Sequence, residues 1–355
     1  MSPTQKALIV TPSKTATLTT TRPLPTLRDG YILVKTASVA LNPTDWKNIA
    51  AIAPPGVLAG CDYSGTVEAL SPTAASSTGL KKGDRICGCA HGCNAEQPED
   101  GAFAEYIVVP VGTQMRIPDN LSFQEAATLG VGVTTVGQAL YQSLGMTWPG
   151  ESRGESESEQ EAVLIYGAST ATGALAVQFA KLSGYRVIAT CSPQHFDMVR
   201  ALGADEVFNS RDESAALRIR EITDDKLRLC LDCVSLESTA AYCDKALSSQ
   251  GGEYSALLLV EIERANVNSR STMGYTAIGK EFRLGDRVFE ASAEDLAFSR
   301  RFWALAEGLF AEGKVVPHAM RVGEGGLRGV LEGLEEMRAG RVNGVKLVYN
   351  VGETD

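Results

Sequence analysis

Three cysteines and one histidine fall within seven residues of this chain, Cys87-Gly88-Cys89-Ala90-His91-Gly92-Cys93. Thiolates and imidazoles are zinc ligands, so metal binding is the first chemistry to weigh. The spacing argues against it. Positions 87, 89, 91 and 93 alternate by two, so in an extended chain their side chains stand about 6.6 Å apart along one face. Sulfurs on one tetrahedral zinc lie only about 4 Å apart. The stretch would reach that only by bending sharply at Gly88 and Gly92. No metal is expected, and Cys87 is expected to be buried at a strand end with the rest lining a mobile loop. A second stretch, Tyr166-Gly167-Ala168-Ser169-Thr170-Ala171-Thr172-Gly173, sets three hydroxyls between two glycines, a composition that suits an anion. A third, Asn42-Pro43-Thr44-Asp45-Trp46-Lys47, is a turn carrying a lone cation.

These residues need a scaffold, and 355 residues, 44% of them hydrophobic, are enough for one large or two ordinary domains. The net charge of −10 without a long basic run excludes nucleic acid and an anionic membrane surface as natural partners. No apolar run reaches the roughly 18 residues of a spanning helix. The start, MSPTQKALIV, lacks a signal-peptide layout, so a cytoplasmic location with reduced thiols is expected. Cys191, Cys230, Cys233 and Cys243 lie in or beside apolar stretches, where a small hydrophobe is welcome.

The first part of the chain reads as β-rich: KALIV, GYILVKTASVAL, GCDYSGTVEAL, GDRICG and AFAEYIVVP are short segments split by Gly, Pro and Asp. A helical pattern follows from Ser122, which forms a capping box with Glu125. Residues 150–161 are acidic and low in complexity, a solvated surface loop. Beyond them strands alternate with helices of about a dozen residues, AVLIY, GALAVQFAKLSG, RVIATCS, QHFDMVRALGA, DEVFN and onward, which means parallel βαβ units. The expected fold is α/β. A β-rich front domain takes residues 1–135 and 310–355, because the final segment folds back onto it, and a doubly wound domain takes 136–309.

In that setting Gly167–Gly173 joins the first alternating strand to its helix, where backbone N–H groups and the positive helix end receive a dinucleotide's pyrophosphate. The glycines alone are equally those of a tight turn with a hydroxyl cap. The second strand decides the nucleotide. A ribose 2′-OH is commonly held by an acid at its end. Here Cys191-Ser192-Pro193-Gln194-His195 follows, with no carboxylate before Asp197. Hydroxyl and amide donors welcome a 2′-phosphate, so NADPH is expected over NADH. Ser192 and Pro193 also fit a plain helix start, and both readings can hold. His195 is open between a phosphate contact and an exposed helix position.

The order of NPTDWK, GCDYSGTV, GDRI, GAFAEYIVVP, IPDNLSFQEAATLGVGVTT and GASTATG resembles the medium-chain dehydrogenase/reductase superfamily, with its GroES-like domain and Rossmann domain. YGASTAT, ATCSPQHFD, GADEVF and LDCVSLEST resemble one zinc-independent branch, the fungal trans-acting enoyl reductases of polyketide biosynthesis. Zinc-dependent members carry a His-Glu pair where this chain has Cys61-Asp62, and the repeated CxxC of a structural zinc is missing. The resemblance implies NADPH-dependent reduction of an α,β-unsaturated thioester on the acyl carrier domain of a highly reducing polyketide synthase, or of a synthase–peptide synthetase hybrid. The reductase itself is expected to be a monomer. The resemblance further implies cofactor contacts at Thr44, Asp45, Trp46, Lys47, Ser169, Thr170, Ala171, Thr172, Ser192, Pro193, Gln194, His195, Ser210, Leu257, Leu258, Val342 and Asn343. It implies acyl-chain contacts along Thr135, Val136, Gly137, Gln138, Ala139, Leu140, Tyr141 and Gln142, and at Thr272, Met273, Gly274, Tyr275 and Thr276. Two positions depart from the branch: Leu258 stands where Asn is usual, and Ser210 replaces an aromatic that would stack on adenine.

With no metal, the chemistry must come from the cofactor. Hydride addition at Cβ leaves negative charge on the thioester oxygen, and a cation aimed there lowers the barrier. Lys47 is the candidate catalytic residue, positioning the nicotinamide ribose or stabilising that charge; a solvent-facing turn lysine is the other reading of it. Small residues at Thr135 and Gly137 leave room for a chain, or serve close helix packing. A stand-alone NADPH quinone or enone reductase has the same fold, as does a non-catalytic NADPH-binding partner protein.

Overall fold

The computed structural model describes residues 3–151 and 160–355, so most of the acidic stretch 150–161 lies outside the described residues. Two compact units divide the chain, one of residues 1–134 and 275–355, the other of residues 135–274.

The first unit begins with β1 (Thr4–Val10) and β2 (Ala16–Pro23), an antiparallel pair. β3 (Tyr31–Ala40), helix α1 (Pro43–Ala51), β4 (Asp62–Leu70), α2 (Pro72–Thr78), β5 (Arg85–Cys89), β6 (Tyr106–Pro110) and β7 (Gln114–Arg116) follow. The helical stretch after Ser122 is not one helix but three pieces. α3 (Phe123–Ala127) starts on the expected capping box, with Ser122 Oγ accepting from Glu125 N–H at 3.2 Å and Glu125 Oε2 from Ser122 N–H at 2.8 Å. α4 (Gly130–Val136) then loosens into a π turn over Gly137–Ser143.

The second unit holds a six-stranded, all-parallel sheet: β8 (Ala162–Tyr166), β9 (Arg186–Cys191), β10 (Glu206–Asn209), β11 (Leu229–Asp232), β12 (Gly252–Ala256) and β13 (Val267–Ser271), in spatial order β10-β9-β8-β11-β12-β13. AVLIY and the Leu229–Leu231 part of β11 are apolar runs rather than alternations because helices cover both faces of such a sheet. The helices are α5 (Ala171–Leu182), α6 (Phe196–Ala201), α7 (Glu213–Ile222) and α8 (Glu237–Ala246). The strand order reverses between β8 and β11, and ligands of doubly wound sheets bind at the C-terminal strand ends beside that reversal.

The chain returns to the first unit at Tyr275, earlier than residue 310. The hairpin β14 (Phe282–Leu284) and β15 (Arg287–Phe289) and the helix α9 (Ala293–Ala311) belong with the front unit. The reason is side-chain bonding and packing. Trp303 Nε1 donates to Thr134 Oγ1 at 3.3 Å, and Ser299 Oγ to the Gly112 carbonyl at 2.8 Å. β16 (Met320–Gly323), α10 (Gly326–Arg338) and β17 (Lys346–Asn350) then complete the seven-stranded front sheet, β17 pairing with β3. The final segment thus folds back onto the front sheet. No helix of the described residues is long and apolar enough to cross a membrane.

Candidate cofactor and active site

In the second unit, the candidate cofactor residues gather at one edge of the sheet, the C-terminal ends of the strands. After β8 the backbone turns at Gly167, whose φ is +78°. The N–H groups of Gly167 and Ala168 are held by the Thr190 carbonyl at 3.1 and 2.9 Å. Thr170 is the N-cap of α5. Its Oγ1 accepts from Gly173 N–H at 3.0 Å and donates to the Gly167 carbonyl at 2.8 Å. Its hydroxyl proton is therefore committed, and the hydroxyls left for an anion are those of Ser169 and Thr172. A helix's first-turn N–H groups have no partner inside the helix, so those of Ala171 and Thr172 face outward with the positive end of the dipole. A Cβ on Gly173 would lie 2.3 Å from the Gly167 carbonyl oxygen. The absent side chain lets the helix start press against the turn. This cradle fits a pyrophosphate.

β9 ends at Cys191, and Pro193–His195 forms a short 3-10 turn with Ser192 at its N-cap position. The Ser192 hydroxyl makes no capping bond, so of its two readings the side chain serves the helix least. Gln194 Nε2 and His195 Nε2 stand 3.2 Å apart. Asp197, the first acid, extends into solvent and pairs with Arg200 at 3.2 Å. Ser210 follows β10, its N–H donating to the Cys191 carbonyl at 3.0 Å. Leu257 follows β12, and its N–H donates to Ser235 Oγ at 2.7 Å, while Leu258 is exposed.

Sequence reasoning missed what fixes that last turn. Asp232, fully buried at the end of β11, accepts from the N–H groups of Val234 and Ser235 (2.9 and 2.8 Å) and from Thr239 Oγ1 and Tyr254 Oη (2.5 and 2.9 Å). Four donors offset the cost of burying the carboxylate. The signal was present as an Asp and a Ser three residues apart at a strand end.

The segment expected along the acyl chain is mostly interior. From Thr135 to Tyr141 it is buried, and Gln142 is exposed. Tyr141 Oη lies 2.9 Å from Ser183 Oγ, so its polar end serves packing against α5. Thr135 and Gly274 come together: a Cβ on Gly274 would be 4.0 Å from Thr135 Oγ1. Thr272 and Met273 beside it are half-buried.

In the first unit, Thr44, Asp45, Trp46 and Lys47 lie on the first turns of α1. Lys47 is exposed, its Nζ 5.8 Å from the Trp46 ring centroid. Asp45 is buried; its Oδ2 accepts from Asn42 N–H at 2.7 Å, and the Cys61 thiol, a weak donor, faces the carboxyl. Burial pushes its carboxyl up to about 7 against the opposing pull of that backbone bond. Nearby, Lys346 Nζ bonds Asp62 Oδ2 at 2.5 Å and Asn42 Oδ1 at 2.9 Å, and Asp62 Oδ1 accepts from Val131 N–H at 2.6 Å. Lys346 and Asp62 are 284 residues apart, and no local pattern announces their pairing. Val342 and Asn343 occupy the connection between α10 and β17, Val342 half-buried and Asn343 exposed.

The cysteine-rich stretch does not line an open loop. Cys87, Cys89, His91 and Cys93 are all buried. The chain turns at Gly92, where a Cβ would lie 2.3 Å from the Gly60 carbonyl oxygen, and at Cys93, with φ +62°. His91 stacks on Tyr275 with ring centroids 3.8 Å apart, and the Tyr275 hydroxyl meets Cys61 Sγ at 3.4 Å and Asn48 Nδ2 at 3.1 Å. Burial holds His91 down at about 3 and raises the Cys61, Cys87, Cys89 and Cys93 thiols, so these groups are neutral. Among the described residues no three His, Cys, Asp or Glu converge as a metal-ligand set, and the eight cysteines are unbridged. Tyr275, expected beside the acyl chain, spends its ring on His91.

A Rossmann-type sheet with a phosphate cradle, joined to a β-rich unit that closes with the chain's last strand, defines a nicotinamide-dependent oxidoreductase of the medium-chain dehydrogenase/reductase class. Residues 28–119 match the alcohol dehydrogenase GroES-like domain, and residues 171–255 the zinc-binding dehydrogenase family. The chain is 48% identical over 360 residues to the trans-enoyl reductase resD of Aspergillus sclerotiorum, covering 98% of this chain and 100% of that one. It is 52% identical over 300 residues to the trans-enoyl reductase TOXD of Cochliobolus carbonum, covering 84% and 98%. An alcohol dehydrogenase superfamily protein from Novosphingobium aromaticivorans shares the fold, with a TM-score of 0.79 at 21% identity over 98% of this chain and 99% of that one. The chain belongs to the trans-enoyl reductase family and is an enoyl reductase.

Proposed function

We propose that this enzyme uses NADPH to reduce the α,β-unsaturated acyl thioester presented by the acyl carrier domain of a highly reducing polyketide synthase, in the cytoplasm. The observation that carries the cofactor choice is the end of β9. Ser192 offers an uncommitted hydroxyl, Gln194 an amide, and the first acid that follows, Asp197, extends into solvent beside Arg200. A carboxylate at that place would repel a 2′-phosphate, and none is there.

When bound, the reduced nicotinamide supplies the hydride that Cβ of the enoyl thioester accepts. The chain's own residues bind and orient. Ser169, Ala171 and Thr172 hold the pyrophosphate with hydroxyl and backbone donors; Thr170 keeps the cradle's shape through its two bonds. Leu258 meets the cofactor through its backbone, since its side chain offers no hydrogen bond. Thr135, Gly137 and the stretch Thr272–Gly274 supply small or half-buried surface for the acyl chain. Lys47, the exposed cation of α1, stabilises the negative charge that gathers on the thioester oxygen.

The test is NADPH consumption with an enoyl-pantetheine thioester beside a simple quinone, each repeated with NADH. Oxidation of NADPH by the thioester, with the quinone and NADH slow, is the expected result; preference for the quinone would make this a free-standing quinone reductase. Lys47→Ala should lower kcat about 100-fold. Unchanged turnover would remove Lys47 from the mechanism.

A further inference from the structure

The turn after β10 carries a charge that the cofactor contacts above do not use. Asn209 pairs in register with Cys191, and the next residue, Ser210, donates its N–H to the Cys191 carbonyl, so residues 210 and 211 run alongside the Ser192 turn. That turn is held firmly. Tyr166 Oη donates to the Ser210 carbonyl at 3.2 Å, and Arg211 N–H donates to Asn209 Oδ1 at 3.1 Å. Arg211 is exposed, and among the described residues its guanidinium makes no ion pair. Its cationic neighbours are occupied: Arg200 pairs with Asp197 at 3.2 Å, and Arg218 with Asp212 at 3.0 Å. Asp212 also accepts from Ser214, so that acid is spoken for. An unpaired guanidinium and an uncommitted serine hydroxyl thus stand at adjacent parallel strand ends, where the adenosine ribose of a dinucleotide lies in this fold.

We propose that Arg211 is the specificity-determining residue of the nucleotide site, closing with Ser192 on the 2′-phosphate. The inference rests on the NADPH reading and adds the group that enforces it. A planar, always-charged fork matches a phosphate bidentately, which neither Ser192 nor Gln194 can do. It also gives the site a cation of its own where Ser210 offers no aromatic ring for the adenine.

The test measures kcat/KM for NADPH and NADH with the enoyl thioester, together with calorimetric titration of 2′,5′-ADP and 5′-AMP, on the full chain. Arg211→Ala should lower the NADPH-to-NADH ratio of kcat/KM about 30-fold and weaken 2′,5′-ADP by a similar factor, with Arg211→Lys between it and the wild type. Arg218→Ala, which removes a surface charge already paired, should leave the ratio within about twofold. If the wild type prefers NADPH and Arg211→Ala keeps that preference, the proposal falls while the cofactor reading stands. If Arg211→Ala weakens 5′-AMP as much as 2′,5′-ADP, the arginine stacks on the base and the proposal falls. A wild type blind to the 2′-phosphate overturns the cofactor reading and this inference together.

Discussion

Asp45 offers a stability experiment whose sign runs against the usual behaviour of carboxylates. It is buried, one oxygen accepts from Asn42 N–H at 2.7 Å, and beyond that only the weak thiol donor of Cys61 faces the carboxyl. Burial holds its folded-state pKa at about 7, against about 3.9 in an unfolded chain. Below pH 4 both states carry the proton and the group is neutral to stability. Between about 4 and about 7 the unfolded chain has released its proton while the folded chain retains it, so the fold loses stability as pH rises. Above 7 both are ionised and the loss levels off. Linkage with these two values gives a penalty of roughly 1–2 kcal/mol at pH 5 and roughly 4 kcal/mol at pH 8, a difference of about 2–3 kcal/mol. Asp45→Asn keeps an oxygen for the Asn42 N–H and removes the titration. Urea unfolding of both chains from pH 5 to pH 8 should show the wild type losing about 2–3 kcal/mol relative to the variant. Parallel curves, or a wild type that gains on the variant as pH rises, would show that this carboxylate is ionised and satisfied in the fold.

Lys346→Met should cost about 3–5 kcal/mol, because it leaves Asp62 charged, fully buried and bonded only to Val131 N–H. Lys346→Met combined with Asp62→Leu should recover most of that in urea unfolding, and a loss below about 1 kcal/mol in the single variant would refute the assignment. Gly173→Ala puts a Cβ 2.3 Å from the Gly167 carbonyl oxygen, so the helix start must move off the turn. NADPH fluorescence titration should show affinity at least about tenfold weaker, with far-UV circular dichroism unchanged. Unaltered affinity would place the pyrophosphate elsewhere.

Elements with a local signal were legible in the chain alone. AVLIY, RVIATC and LCLD are apolar runs flanked by helices of matching period, and that rhythm determines a parallel sheet before any contact is known. The Ser122–Glu125 box and the Gly167–Gly173 turn are equally local, since each is closed by bonds spanning only a few residues. The weaker local signals were missed: β2 is half exposed and polar, and β14 and β15 have three residues each. The π turn after Val136 interrupts what reads as continuous helix.

Spacing made the cysteines suspects, and only the folded chain decided their surroundings. His91 meets Tyr275, which is distant in the sequence, and Asp62 meets a lysine 284 residues away. Such pairings depend on which strand lies beside which, and a linear pattern carries no record of that. The sequence by itself therefore determined the two kinds of layer and the phosphate turn. Tertiary structure decided which acids are buried and that the chain rejoins its first unit at Tyr275, because each of these depends on groups that become neighbours only when distant segments pack.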